Sequence, residues 1–252
     1  MLAVLAQLLP DPGYQSPTID WHALAPEIVL SVGGCLLILL DAVKLDRARA
    51  AMPALANLVL LATLIPIITL AVDGQTRVLF DGSYVVDPMS LVLKALFIVA
   101  GYVVVLLSTN YVADGDYWES EYYSLLTTAI LGMVVMSSAR DLLIIFVALE
   151  LLSLHAYMLA SWRKGDVKSN EAGLKYFLIG SFTTGILLYG MALLYGATGH
   201  TDFVQIQARF DATNPLAAPQ DPGAPAAGPA EAISPRNYAR PVEIMTIAGV
   251  IA

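Results

Sequence analysis

Three ionisable side chains lie within long apolar stretches of the sequence: Lys94, Glu150 and Lys175. Glu150 is the deepest, close to the centre of "LLIIFVALELLSLHAYMLA" (residues 142–160). An ionised group is costly in such surroundings, and residues of this kind usually mark ion or proton pathways. Burial and neighbouring charges shift the pKa of carboxylates and amines, so a structural change can make them take up or release protons. These residue types favour the movement of protons or cations over bond breaking.

Glu150 belongs to a polar stripe if the stretch is a helix. At about 100° per residue, four side chains fall within about 60° of it, namely Ser153, Leu154, Tyr157 and Ser161. A carboxylate beside serine and tyrosine should face protein or water and not lipid, and the stripe is a candidate accessory polar path. The alternative is a protonated glutamate that hydrogen-bonds a neighbouring helix and only stabilises packing.

The other buried ionisable groups leave more than one interpretation open. His155 lies about 140° around the helix from Glu150, so it either bonds another helix or lines a separate wet path. Lys175 follows Glu171 by four residues, a favourable helical pair, and it could also extend to the membrane surface. Lys94 is predicted to extend toward the outer surface.

Composition identifies the elements that must position these groups. Of 252 residues, 58% are hydrophobic and 13% charged, and the mean hydropathy is +0.70. Six apolar runs of about 20 residues follow one another, each long enough to cross a bilayer. We therefore predict an all-α polytopic membrane protein, with spans at Leu24–Val43, Pro53–Val72, Met89–Ser108, Tyr122–Ala139, Leu142–Trp162 and Ala172–Ala197. In "VDPMS", Asp87 should cap the third helix and Pro88 should begin it, and Pro66 should kink the second.

Positive charges orient the spans. "KLDRARA" (residues 44–50) and "WRKGDVKSN" (residues 162–170) are basic and separated by four crossings, so both should be cytoplasmic and the N-terminus outside. That orientation places the acidic loop "NYVADGDYWESE" (residues 110–121) in the cytoplasm as well.

The remaining segments flank this bundle. Residues 1–23 are predicted to form an interfacial segment, residues 24–121 the first three helices, and residues 122–199 the next three. Residues 200–240 should hold a short amphipathic helix, with Phe203, Ile206 and Phe210 on one side, followed by a flexible Pro/Ala-rich loop. Residues 241–252 turn apolar again and should begin a truncated seventh helix of a longer protein.

Several function classes are disfavoured. The net charge of −8 and the lack of a basic patch argue against nucleic acid as a partner. The sequence contains no phosphate-binding glycine loop and no metal-ligand spacing, and His22 and His200 fall in loops, which disfavours haem held between helices. Cys35 is the single cysteine, so it forms no intrachain disulfide and should be buried as a small apolar side chain.

The central segments resemble a known family. "DLLIIFVALELLSLHAYMLASW" and "NEAGLKYFLIGSFTTGILLYGMALLYGATG", with "LAPEIVL" and "VDPMS" upstream, are similar to the antiporter-like membrane subunits of proton-pumping NADH–quinone oxidoreductase, respiratory complex I. The resemblance runs from about residue 24 to residue 199. It implies that Glu150 is a proton-carrying residue of a half-channel and that Lys175 occupies the characteristic lysine position of the sixth helix. It assigns no role to His155.

The resemblance also implies partners and cofactors. The chain itself should hold no cofactor, while flavin, iron–sulfur clusters and quinone should bind to other subunits of the complex. Its partners should be neighbouring membrane subunits and the lipid bilayer, in a bacterial inner membrane. Two alternatives remain: a subunit of a multisubunit cation/proton antiporter, and a structural assembly subunit without its own proton path.

Overall fold

The computed structural model describes residues 19–42, 46–113 and 119–213. Within these ranges the chain forms seven helices and one small hairpin. The helices are α1 (Ala25–Ala42), α2 (Asp46–Asp73), α3 (Pro88–Ala113), α4 (Glu119–Ser138), α5 (Leu142–Ala160), α6 (Val167–Thr198) and α7 (Phe203–Thr213). The hairpin between α2 and α3 pairs β1 (Arg77–Leu79) with β2 (Tyr84–Val86) in antiparallel register.

The helical membrane architecture is confirmed. Among the described residues, four helices are long and apolar enough to cross a membrane, those that contain Ala51–Asp73, Pro88–Val112, Leu142–Ala160 and Val167–Thr198. The apolar part of α1, Ala25–Leu40, is shorter, and α4 begins with the charged sequence "ESE". Sequence analysis made no prediction of the hairpin that β1 and β2 form before α3. The predicted interfacial segment lies mostly outside the described residues, and the Pro/Ala-rich loop and seventh helix lie almost entirely outside them.

The first four helices form one packed unit. α1 contacts α2 and α4, α3 contacts α2 and α4, and a continuous apolar core runs between them. α5 packs on α4 so closely that a Cβ at Gly132 would lie 2.8 Å from the Leu152 backbone nitrogen. α6 then contacts α5 and leaves much of its apolar surface exposed.

The loops at one end of the bundle are joined into a single network, which we call the hairpin end. The Arg77 guanidinium lies 2.5 Å from Asp20, ahead of α1. Backbone bridges join Tyr84 to Ala139 and Asp141 to Asp202, so the loops before α3, α5 and α7 meet there. This is the end that the basic-loop pattern predicts to face outside.

At the opposite end, Lys164 pairs with Glu121 at 2.7 Å. The start of α4 and the basic loop after α5 therefore lie at the same end, as two successive antiparallel helices require. Glu121, an acidic residue at that end, is placed beside a basic one.

Local features agree with the sequence in part. Asp87 Oδ1 accepts a hydrogen bond from the Ser90 backbone N–H at 2.7 Å, which confirms the cap that precedes Pro88. α2 continues through Pro66, and the Thr69 hydroxyl donates to the Pro66 carbonyl. The prediction for Cys35 was wrong, because its side chain lies on the exposed face of α1.

The short amphipathic helix is α7. Ile206 is buried and Phe203 packs with it against Leu142 and Met191. Phe210, predicted for the same side, is 47% exposed. An apolar contact therefore holds the start of α7 on α5 and α6, and weakens toward its end.

Candidate functional site

Glu150 lies near the centre of α5, which is capped at its start by Asp141. Asp141 Oδ1 accepts a hydrogen bond from the Leu143 backbone N–H at 2.7 Å, and Asp141 Oδ2 accepts one from the Thr201 hydroxyl at 2.6 Å. The helix therefore starts at a point tied to the loop before α7. The cap satisfies a backbone N–H group at the start of α5 and joins this end of the helix to the loop before α7.

Two glycines of α6 accommodate side chains of α5. A Cβ at Gly180 would come within 2.0 Å of the Tyr157 hydroxyl oxygen, and a Cβ at Gly173 within 2.3 Å of Ser161 Cβ. The Tyr157 ring also meets the ring of Tyr176 edge to face, with centroids 4.7 Å apart. Tyr157 and Ser161 therefore face α6.

Glu150 is on the same face of α5. Seven residues separate it from Tyr157, which corresponds to about 20° around the helix axis. Its side chain is partly buried, and its Oε1 atom is buried without a hydrogen-bond partner. An unpaired buried carboxylate oxygen is uncommon in proteins, because leaving it unbonded is unfavourable, and it marks Glu150 as a candidate proton-binding group.

Lys175 is placed differently. Its side chain is 69% exposed, and its Nζ lies 2.5 Å from Glu171 Oε1, one turn earlier in α6. Within the described residues it pairs with Glu171 and not with Glu150. The structure therefore brings Tyr157 and Ser161 against α6, with Glu150 further along the same helix face, and leaves Lys175 on an open surface.

His155 lies away from this interface, as the helical projection predicts. Its Nδ1 atom is 2.6 Å from the Leu151 carbonyl oxygen, one turn earlier in the same helix. Of the other residues of the predicted stripe, Ser153 is partly buried and Leu154 is 44% exposed. The geometry gives His155 a hydrogen bond within α5, on a different side of the helix from Glu150.

A second buried charge cluster lies near the hairpin end, and sequence analysis missed it. The Lys94 side chain is 0% exposed, and its Nζ lies 2.7 Å from Glu27 Oε1. The Tyr84 hydroxyl donates to the same Glu27 oxygen at 2.7 Å, and Lys94 Nζ lies 3.4 Å from the Tyr84 oxygen. Lys94 therefore does not extend to the outer surface, and that prediction was wrong.

The physical reason is the partner. A lysine stem extends to the surface when its ammonium group finds no counter-charge inside the bundle. Here Glu27, in the first turn of α1, supplies that charge. The quoted motif "LAPEIVL" contains Glu27, but no spacing rule relates a residue of α1 to one of α3.

The hairpin supplies the third group of the cluster. Burial and the nearby Glu27 carboxylate raise the pKa of the Tyr84 phenol well above its usual range, so Tyr84 remains a hydrogen-bond donor. Beside it, Arg140 pairs with Asp87 at 2.8 Å, and both side chains are less than one fifth exposed, at 18% and 15%. Among the described residues, no group of three histidine, cysteine, aspartate or glutamate side chains could hold a metal ion.

Comparison with known proteins identifies the fold. Residues 139–218 match the family described as NADH:quinone oxidoreductase/Mrp antiporter, TM, a region that includes α5, α6 and α7. Over 76% of this chain, the structure is similar to a chain of respiratory complex I from Thermus thermophilus with bound aureothin, at 31% identity and a TM-score of 0.58. The match covers 45% of that chain.

A second solved structure has the same fold at lower identity. It is the membrane-bound sulfane sulfur reductase, an archaeal respiratory membrane complex, with 18% identity, a TM-score of 0.66 and coverage of 77% of this chain and 41% of that one. The fold and the matched helices are thus similar to those of antiporter-like membrane proteins of the NADH–quinone oxidoreductase and Mrp antiporter family.

Within this family, the chain is similar to subunit N of NADH–quinone oxidoreductase. It is 36% identical over 189 residues to subunit N of Trichlorobacter lovleyi, which covers 75% of this chain and 38% of the relative. It is 39% identical over 191 residues to subunit N of Sphingopyxis alaskensis, covering 76% of this chain and 39% of the relative. The chain thus spans about two fifths of the length of these relatives.

Proposed function

We propose that this chain is part of a proton-translocating membrane subunit of an NADH–quinone oxidoreductase, in which Glu150 binds and releases protons. The observation that supports this most directly is the buried, unpaired Oε1 atom of Glu150, on the face of α5 that also carries Tyr157. Both helices fall within the matched region. The relatives are named as subunits of NADH–quinone oxidoreductase, and the coupling of electron transfer to proton movement is inferred from that kinship.

The chemistry that this site could supply is electrostatic. A carboxylate can bind a proton, and an approaching positive charge favours its release. Tyr157 and Ser161 provide polar neighbours on the same helix face, and Ser153 extends the stripe. The proton would thus be held or released according to the charges around α5 and α6.

Lys175 is proposed as the second proton-carrying group. Its present partner is Glu171 on an open surface, so its ammonium group is available to a segment or subunit that covers α6. Partners would be other membrane subunits of the complex, and flavin, iron–sulfur clusters and quinone would bind outside this chain. The proposed setting is a bacterial inner membrane with the hairpin end outside.

The test is the Glu150→Gln variant in the complete complex, reconstituted into vesicles. We expect electron transfer from NADH to quinone to persist while proton pumping falls roughly ten-fold, because glutamine cannot bind and release a proton. Lys164→Gln removes an exposed charge at the end of the bundle opposite the hairpin end. It is the matched control and should pump normally. Normal pumping by Glu150→Gln with intact assembly would support a structural subunit instead.

The matched family also includes Mrp antiporters, which gives the second candidate function. Sodium-coupled proton movement in vesicles without NADH would favour a cation/proton antiporter subunit. Co-purification with flavin and iron–sulfur proteins would favour the oxidoreductase.

A further inference from the structure

The Glu27–Lys94 pair is the most deeply buried ion pair among the described residues, and it lies outside the matched region 139–218. The two residues come from α1 and α3, in the packed unit that precedes α5. Glu150 belongs to another interface, so the function proposed above makes no use of this pair. Its geometry therefore needs a separate explanation.

Only one of the two carboxylate oxygens of Glu27 has partners. Its Oε1 atom accepts from both Tyr84 and Lys94, while its Oε2 atom is buried without a partner. An ion pair that served only to hold helices together would be expected to satisfy both carboxylate oxygens, because each unpaired buried oxygen is unfavourable. Oε2 is a site at which a proton can be held.

A further polar group lies close to the pair. Ser138 ends α4 and is 0% exposed, and its hydroxyl lies beside the Tyr84 phenol. The next residue, Ala139, forms a backbone bridge with Tyr84. The cluster thus contains an unpaired carboxylate oxygen, with the Tyr84 and Ser138 hydroxyls next to it at the hairpin.

The polar groups around the pair become more exposed toward the hairpin end. Lys94 is 0% exposed and Glu27 10%, followed by Asp87 and Arg140 at 15% and 18%. Asp87 caps α3, and Lys94 lies seven residues further along that helix, about 10 Å by helical rise. The buried pair is therefore a short distance from the surface at this end.

We propose that Glu27 and Lys94, bridged by Tyr84, form a second proton-exchange site, open to the aqueous phase at the hairpin end. Transfer of a proton from Lys94 Nζ to the Glu27 carboxylate converts the ion pair to a neutral amine and a carboxylic acid. Release of the carboxylic proton to the outside leaves a single negative charge on Glu27, and uptake of one proton restores the ion pair. This inference rests on the proposed function, since the proton reaches this site only in a proton-translocating subunit.

The test compares single and double variants in the complete complex. Lys94→Met or Glu27→Gln alone disturbs a buried pair and can impair assembly whether or not the pair carries protons. Glu27→Gln combined with Lys94→Met removes both charges, so a purely structural pair should then be dispensable. Lys164→Met, which removes an exposed lysine charge, is the control.

The measured quantity is protons moved per electron in vesicles. We expect the double variant to assemble and to transfer electrons, with this ratio reduced roughly two-fold or more, while Lys164→Met matches the wild type. A double variant with normal assembly and a wild-type ratio would overturn the proposal. If the double variant does not assemble, Tyr84→Phe decides the matter, because it keeps the ring and removes the bridging hydroxyl: a reduced ratio supports the site and a normal ratio overturns it.

Glu150→Gln is measured in parallel. If it lowers pumping while the Glu27, Lys94 and Tyr84 variants do not, only the second site is disproved. If Glu150→Gln also pumps normally, the proposed function itself is disproved, and the second site with it.

Discussion

The Tyr157 side chain fills the space that a side chain at position 180 would need. A Cβ on Gly180 would lie 2.0 Å from the Tyr157 hydroxyl oxygen and 2.4 Å from the ring carbon that bears it. This contact sets how closely α6 approaches the face of α5 that contains Glu150. A larger side chain at position 180 would therefore change how α6 packs on the helix that carries Glu150, the candidate proton-binding group.

Gly180→Ala should disturb that interface. The added methyl group would push Tyr157 aside, and overpacking of this kind destabilises a protein by about 1–3 kcal/mol. We expect a lower thermal unfolding temperature and reduced proton pumping in the complete complex. Gly185→Ala is the matched control, because nothing lies within 4 Å of its added Cβ and alanine favours helix. Equal behaviour of the two variants would contradict the proposed contact.

Lys94→Met should reduce the free energy of unfolding by about 3–5 kcal/mol, because it leaves the Glu27 carboxylate buried without its counter-charge. Glu27→Gln in the same chain should recover most of that loss. The measurement is thermal or denaturant unfolding of the purified protein in detergent. Additive losses in the double variant would show that the two side chains act independently.

Asp202 should make stability depend on pH. Burial, with a contribution from the negative charge of Asp141, raises the pKa of Asp202 above its ordinary value of 3.8. Because the folded state binds this proton more tightly than the unfolded state, the added stability is present below the ordinary value. It is lost as the pH rises through the raised value.

Asp202→Asn tests this directly. Asparagine can still accept the hydrogen bonds that Asp202 Oδ1 receives from the backbone N–H groups of Val204 and Gln205, so α7 keeps its cap. We expect the variant to unfold at a higher temperature than the wild type at neutral pH, with the gap closing in acid. A gap that is constant with pH would show that Asp202 does not titrate in this way.

His155→Leu should leave proton pumping unchanged. The imidazole Nδ1 bonds the Leu151 carbonyl within α5 and lies on a different face from Glu150. Pumping is measured in vesicles beside Glu150→Gln, which should be defective. A comparable defect in both variants would place His155 on the proton path after all.

Sequence reasoning succeeded where a feature is local to one helix. The polar stripe of Glu150, Tyr157 and Ser161 follows from helical periodicity, and the structure places Tyr157 and Ser161 against α6. The cap at Asp87 follows from the turn chemistry of "VDPMS" and is confirmed. The basic loops predict which helix ends lie together, and the Lys164–Glu121 pair agrees with that arrangement.

It failed where the deciding partner comes from a distant part of the chain. Lys94 taken alone resembles a lysine that extends to the surface, and Cys35 taken alone resembles a buried side chain. Packing of α1 against α2 and α4 leaves Cys35 on the exposed face of the bundle. The burial of Lys94 and the exposure of Cys35 cannot be read from the residues next to them in the sequence.

The sequence by itself determined the membrane class, the order of the helices and the residue at the centre of α5, because hydropathy and helical periodicity are properties of contiguous residues. Only the tertiary structure decided that Glu27, Tyr84 and Lys94 meet at the hairpin end, and that Lys175 bonds Glu171 on an open surface. The reason is physical. The free energy of a buried charge depends on which opposite charges the packed helices bring within hydrogen-bonding distance.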